Sequence, residues 1–341
     1  MEKQEIIRLF LSHGFQLSEG AVKIIEKDPE YFLEEIENFN PRPFIITEQV
    51  AKKIVESKKE KNLEVRLLQK TTFRKDVLKP DDFIRKFLEI YEKISKILIE
   101  NKKLVKLISI NKISEKTETF SIIAMVREKN KTNLILEDKT GEIVAFPDEN
   151  LKDEIETIEL DDVLGFVCEN KDRIYIKEVI FPDIPINRDI NTTEKDARLF
   201  YFYKPSLLNQ DEINKIFEIL RNLKKQKFIF IYGGWEDRES TNIFGEVQLI
   251  PDEEEMMIFE IGNVTLMSIK ECEIVNVLRK RLLKTSNQLD TFVLEKIPDI
   301  IFSKNGTYYK NYKGTTILSL DKKDKYFVVN LKTRDVEECE V

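Results

Sequence analysis

Leu134-Ile-Leu-Glu-Asp-Lys-Thr-Gly-Glu-Ile-Val-Ala-Phe-Pro147 decides the fold. Two apolar runs flank a short polar centre, and Thr140-Gly141 supplies permissive backbone, so the stretch reads as two strands joined by a turn. Upstream, Ile122, Ala124 and Val126 alternate with Ile123, Met125 and Arg127, the period-two pattern of a curled sheet. The strands expected from this patterning are 117–127, 131–138, 142–147, 161–169 and 173–181. A polar, helix-compatible insert, 150–157, separates the third from the fourth. Three strands, a helix, then two strands is the order of an OB barrel.

On the N-terminal side, 1–58 reads as a helical module. Ile6, Ile7, Leu9 and Phe10 share one helix side, Ser18 is a good N-cap, Asp28-Pro29 starts a third helix and Thr47 caps a fourth. Residues 59–80 read as a charged linker, and 81–186 as a helix plus the barrel. That helix carries Phe83, Phe87, Ile90, Ile94, Ile97 and Leu98 on one face. The remainder, 187–341, reads as α/β. Strands are expected at 198–203, 227–232, 246–250, 256–261, 264–269, 300–303, 315–320 and 326–331, with helices at 209–223 and 273–284. The fold class is therefore α+β multidomain. Open α/β sheets build their sites where strands end in loops, so those loops are the place to look for chemistry.

Composition narrows the function. The chain has 341 residues, 56 basic and 63 acidic, for a net charge of −7. A dedicated nonspecific nucleic-acid binder shows a basic excess instead. The opening Met-Glu-Lys-Gln is unlike a secretory signal, and no apolar run reaches membrane-spanning length, so a cytoplasmic protein is expected. Abundant Lys, Glu and Ile fit a thermophile's charged surface or a low-GC genome. Cys168, Cys272 and Cys339 form no CxxC pair, which disfavours a zinc knuckle. Cys168 lies in an apolar strand and reads as a buried thiol. His13 is the single histidine, beside Gly14 at a helix end, and reads as a cap or surface residue rather than a ligand.

Four runs carry a resemblance: Leu136-Glu-Asp-Lys-Thr-Gly-Glu-Ile-Val144, Ile180-Phe-Pro-Asp-Ile-Pro185, Ile297-Pro-Asp-Ile-Ile301 and Tyr312-Lys-Gly-Thr-Thr-Ile-Leu-Ser319. With the order of parts, they resemble the small (B) subunit of archaeal family-D DNA polymerase over about residues 83–335. The resemblance implies that the last domain is a calcineurin-like metallophosphoesterase, which in that family is a 3′–5′ exonuclease with two metals. Its ligands would stand in DxH, GD, GNH, lone-His and GHxH motifs.

This chain departs from that pattern throughout. The DxH slot reads Phe202-Tyr-Lys-Pro-Ser206, placing Tyr203 and Pro205 there. The GD slot reads Gly233-Gly-Trp-Glu-Asp237, and GNH falls either at Ile250-Pro-Asp-Glu-Glu254 or on Gly234-Trp-Glu-Asp237. The lone His lies near Ser268, and GHxH reads Ser303-Lys-Asn-Gly-Thr307, with Asn305 and Thr307. No register supplies a histidine, so the domain is expected to be catalytically dead, without metal or cofactor. Asp237, Asp252, Glu253, Glu254 and Glu255 would suit Mg²⁺ or Ca²⁺ by oxygen ligation, but a solvated acidic loop is the simpler reading. Trp235 is either a partner anchor or a plug in the vacated cleft.

The function expected is a noncatalytic accessory or scaffold subunit of a DNA polymerase or other replication or repair complex. The resemblance implies a polymerase catalytic subunit or another replisome protein as partner. The alternative is a single-strand binder working through the barrel. Lys129, Lys131, Lys171, Arg173 and Lys177 would form its basic rim, while Phe146 and Phe166 read as core. A residual nuclease is the remote third reading.

Overall fold

The computed structural model of the chain describes residues 3–37, 39, 42–61, 63–70, 80–223, 225–232, 248–252, 256–269, 273–284 and 291–341. It divides into two compact units, Met1–Glu64 and Val65–Val341. In the first, α1 (Lys3–Ser12) leads through β1 (Gln16–Leu17) to α2 (Glu19–Ile25) and α3 (Pro29–Glu37). β2 (Ile45–Ile46) pairs in parallel with β1 and precedes α4 (Glu48–Lys61). Ser18 caps α2 by accepting the Ala21 N–H at 3.3 Å. Ile6, Phe10, Ile25, Phe32, Ile36 and Ile54 form the core. His13 is exposed, its ring Nδ1 lying 3.0 Å from the Leu9 carbonyl.

The second unit opens with β3 (Val65–Lys70), inside the stretch expected to be a linker. It pairs antiparallel with the strand Met256–Ile261 of the last domain, its polar, edge-like sequence Val-Arg-Leu-Leu-Gln-Lys having hidden it. Helix α5 (Pro80–Ile99) follows. It buries Ile90, Ile94 and Leu98, while Phe83, expected on that face, is 37% exposed.

The barrel strands lie within three residues of expectation: β4 (Thr119–Lys129), β5 (Leu134–Asp138), β6 (Gly141–Pro147), then β7 (Val163–Asn170) and β8 (Ile174–Ile180) after α6 (Lys152–Thr157). They close in the order β4-β5-β6-β8-β7, with β6 and β8 parallel and the other pairs antiparallel. Phe120, Ile122, Ala124, Val126, Leu134, Leu136, Phe166 and Cys168 fill the interior. The β5–β6 turn is held by a side chain rather than by a permissive glycine. Asp138 accepts the N–H groups of Thr140 and Gly141 at 2.6 and 3.1 Å.

The last domain continues with β9 (Ala197–Tyr203), α7 (Gln210–Asn222), β10 (Gln226–Tyr232), β11 (Gln248–Asp252), β12 (Met256–Ile261) and β13 (Val264–Ile269). Helix α8 (Ile274–Lys280) stops short of the expected end, because Arg281 turns left-handed (φ 53°) and the chain goes into β14 (Leu282–Leu283), paired with β15 (Phe292–Val293). Then come β16 (Ile300–Ser303), β17 (Tyr308–Tyr312), β18 (Thr315–Ser319), β19 (Lys325–Asn330) and β20 (Val336–Glu340).

Among the described residues these strands form a sheet β11-β10-β9-β19-β20 and a sheet β17-β18-β16-β13-β12-β3. The two meet through aromatic rings, with Phe230–Phe302 centroids 4.3 Å apart and Tyr201–Phe302 5.1 Å apart. Helix α7 covers the outer face of the first sheet through Ile216, Phe217 and Leu220, and α8 that of the second through Ile274, Val277 and Leu278. Strands buried on both faces read as near-continuous apolar runs, as 199–202 and 228–232 do. No helix among the described residues is long and apolar enough to cross a membrane.

Barrel and sandwich share a seam. Ile90, Ile94 and Leu98 of α5 pack with Ile123, Val163 and Ile180 of the barrel and Leu282 of the sandwich. Beside this cluster, Asp162 pairs with Lys280 at 2.8 Å and Lys284 at 2.9 Å, and Asp162 is 1% exposed.

Candidate functional site

The parallel strands of both sheets end together. In the first sheet, Tyr203 of β9 stands opposite Tyr232 of β10, and Tyr232 opposite Asp252 of β11. In the second, Ser268, Phe302 and Leu318 are in register, followed by Ser303 beside Ser319. The Tyr201 hydroxyl donates to the Ser303 carbonyl across the sheets, and the Lys304 ammonium lies 5.4 Å from the Tyr232 ring centre. Tyr203, Asp252 and Ser268, three positions at which the resemblance implied a metal ligand, thus stand at or one residue short of strand ends.

The described side chains at these strand ends include two tyrosines and two lysines. Tyr203 packs half-buried against Tyr232 at 6.1 Å, with the Lys204 ammonium 5.4 Å over its ring. Both lysines make cation–π contacts that hold positive charge at the strand ends. Pro205 is buried and starts a 3₁₀ turn leading into α7. Ser268 is fully buried in the sheet. The Asn305 N–H donates weakly to Ser303 Oγ at 3.4 Å. Thr307 donates to Asp321 at 2.5 Å, which fastens the start of a hairpin. Tyr203 is therefore brought to the rim with Lys204 and Tyr232, while Ser268 and Thr307 have structural surroundings. Asp252 ends β11 beside Tyr232. Trp235, Asp237, Glu253, Glu254 and Glu255 lie outside the described residues. No group of three or more His, Cys, Asp or Glu that could hold a metal ion occurs among the described residues.

The barrel's basic residues fall into two places. Lys129 donates to the carbonyls of Glu156 and Ile158, at 3.2 and 2.9 Å, and so ties β4 to the end of α6. Lys131 is exposed on the adjoining hairpin. Lys171, Arg173 and Lys177 cluster on β7–β8. Lys177 pairs with Asp148 and Glu169 at 2.9 and 3.1 Å, and Lys171 pairs with Glu169 at 3.0 Å. Arg173 stacks 5.0 Å over Phe146, and Phe146 lies 6.5 Å from Tyr175. Phe166 is buried as expected, but Phe146 is half-exposed, because its ring packs under an exposed guanidinium rather than inside the barrel.

Sequence reasoning quoted three aspartates in the motifs without giving them a role, and all three are fasteners. Asp138 accepts the Ile110 N–H at 2.8 Å in addition to its turn bonds. Asp183 accepts from the Tyr312 hydroxyl at 3.0 Å, the Lys313 ammonium at 2.5 Å and the Ile184 N–H at 2.6 Å. Asp299 is fully buried at the opposite end of β16 from the rim, taking Arg188 at 2.7 Å, Asn191 at 3.1 Å and the Thr265 N–H at 2.9 Å. For Asp299 the available signal was a charged residue between Pro298 and an apolar run, with Arg188 elsewhere to meet it.

No protein-family profile and no characterised protein matches the sequence. Among solved structures, the chain is similar to a Vps29 single mutant from Entamoeba histolytica (10% identity), a novel archaeal phosphodiesterase (8%) and a Thermotoga maritima protein (14%). Each similarity covers 42% of this chain and 98–99% of the other, with a TM-score of 0.28. Likeness at this level identifies neither an activity nor a partner.

Proposed function

We propose that the chain is a noncatalytic scaffold subunit of a nucleic-acid-processing assembly, with a DNA polymerase catalytic subunit or another replication or repair protein as its partner. On this reading the closed barrel is an OB barrel. The sandwich is a calcineurin-like phosphoesterase domain that has lost its metal ligands. The observation that carries the reading is the strand-end rim, where Lys204 lies over Tyr203 in the DxH slot and Lys304, from the GHxH slot, lies over Tyr232. The seam through Asp162 and Lys280 supports it as well. A hydrolase needs its site, whereas a scaffold needs two domains held at a fixed angle, and a buried ion pair beside an apolar cluster supplies that.

The test has two arms. Affinity purification of the full chain from its source cell should recover a polymerase catalytic subunit in stoichiometric amount. The same protein, purified to homogeneity, should leave 3′-labelled DNA intact in Mn²⁺. Metal-dependent degradation lost on changing Asp237 or Glu253 would sink the noncatalytic reading. A single-strand binder remains the alternative, and the Arg173–Phe146–Tyr175 patch is what favours it. The neighbouring lysines are already paired with carboxylates, so the net field there is weak.

A further inference from the structure

A cleft of about 750 Å³ opens where the end of α5, the barrel exit and the last turn of α8 meet. Its wall includes Phe181, Pro182 and Ile184, with Arg279 and Arg281 from the α8 end. This volume lies within the range of small-molecule sites, roughly 300–1,000 Å³.

Arg281 is the unusual group. Its left-handed backbone closes α8, donating its N–H to the Val277 carbonyl, and this turns the side chain inward until the residue is 5% exposed. One guanidinium nitrogen donates to the Leu294 carbonyl at 2.9 Å, whereas the buried Nε has no hydrogen-bond partner. Among the described residues no carboxylate pairs with it. The acid whose field reaches it, Asp183, is occupied by Tyr312 and Lys313, and Arg188 adds repulsion. Burial pulls Arg281 down to about 10, so it still carries its charge at neutral pH. A buried cation without a counter-ion is costly, and a buried polar group seeks a partner. In the same cleft, the Arg279 guanidinium lies over Phe181, 3.7 Å from the ring centre, and pairs with Glu154 at 3.8 Å.

We propose that this cleft binds a phosphorylated small molecule of about mononucleotide size, its phosphate seated on Arg281 and Arg279. Arginine's planar fork matches phosphate oxygens in pairs, and the exposed Pro185 and Ile186 of the cleft lining offer apolar surface to the remainder. The site is separate from the strand-end rim and does not depend on the scaffold reading.

The experiment is calorimetric titration of the full chain, at low salt, with inorganic pyrophosphate and with a nucleoside monophosphate. Both should bind, the nucleotide more tightly, and both more weakly as salt rises. Arg281→Gln should weaken binding by about tenfold or more, Arg279→Gln by several-fold, and Lys131→Gln on the barrel not at all. If Arg281→Gln does not fold, hydrogen exchange on the wild-type chain replaces it. Pyrophosphate should then slow exchange in 273–284 and 291–298. No binding at about 10 mM pyrophosphate (a level that nearly saturates even a 1 mM site) overturns the proposal. So does binding that Arg281→Gln leaves unchanged, or an exchange pattern that pyrophosphate leaves unchanged.

Discussion

The barrel and the sandwich use the same residue for the same purpose and differ in what surrounds it. Asp138 in the barrel closes a surface turn and meets three backbone N–H groups and the Thr140 hydroxyl. Asp299 in the sandwich is fully buried and meets the Arg188 guanidinium, the Asn191 amide and the Thr265 N–H. One carboxylate can trade its bonds for water, while the other cannot. The difference teaches that these aspartate-bearing runs serve architecture in this chain. Their aspartates hold loops to strands at positions away from the rim where chemistry would occur.

That contrast can be broken by removing each carboxylate. Asp299→Ala strands a guanidinium that is only 12% exposed, and leaving a buried charge unpaired costs about 3–5 kcal/mol, so it should be the most damaging change. Urea unfolding would measure it, and a loss no larger than that of a surface substitution would refute the clasp. Asp162→Ala comes next, at about 3 kcal/mol, because Lys280 is buried but Lys284 is a third exposed and turns to water. Its second signature is loss of cooperativity. Barrel and sandwich, which share this pair, should begin to unfold in separate steps. Asp138→Ala should cost less, about 1–2 kcal/mol, the usual range for losing a side-chain cap on backbone N–H groups. A single unchanged transition in Asp162→Ala would show that the apolar seam around Ile94 and Leu98 suffices.

The same contrast explains what could be read in advance. Barrel strands alternate in and out, so Ile122, Ala124 and Val126 declared their face and their register. In the sandwich the central strands were legible as apolar runs, and three of the edge strands were not. β3 reads Val-Arg-Leu-Leu-Gln-Lys, β17 Tyr-Tyr-Lys-Asn-Tyr and β20 Val-Glu-Glu-Cys-Glu, all polar enough to pass for loop. Edge strands carry charge because it blocks pairing with other chains. The α8 terminus was invisible for another reason: a left-handed Arg281 has no sequence mark of the kind glycine gives. The histidine count needed no alignment, and it left every motif slot without an imidazole. The lysines over tyrosines that stand there depend on register between two sheets, which one strand's sequence does not encode.

The smallest effect expected is also the cleanest discriminator between the two regions. Cys168 sits in the barrel interior with no exposed surface, and burial pushes its thiol up to about 12. Alkylation requires the thiolate, and a folded-state value above the unfolded one keeps the thiol protonated through pH 9. Iodoacetamide at pH 8.5 should therefore leave Cys168 unmodified in the native chain and label it fully in urea, as read by peptide mass spectrometry. Asp162→Ala acts on the seam and should leave that protection intact. Asp138→Ala loosens the barrel's own turn and should speed Cys168 labelling, even though it costs less overall stability. If the larger loss exposes Cys168 and the smaller does not, barrel and sandwich open as one unit, and the seam rather than the turn guards the barrel interior.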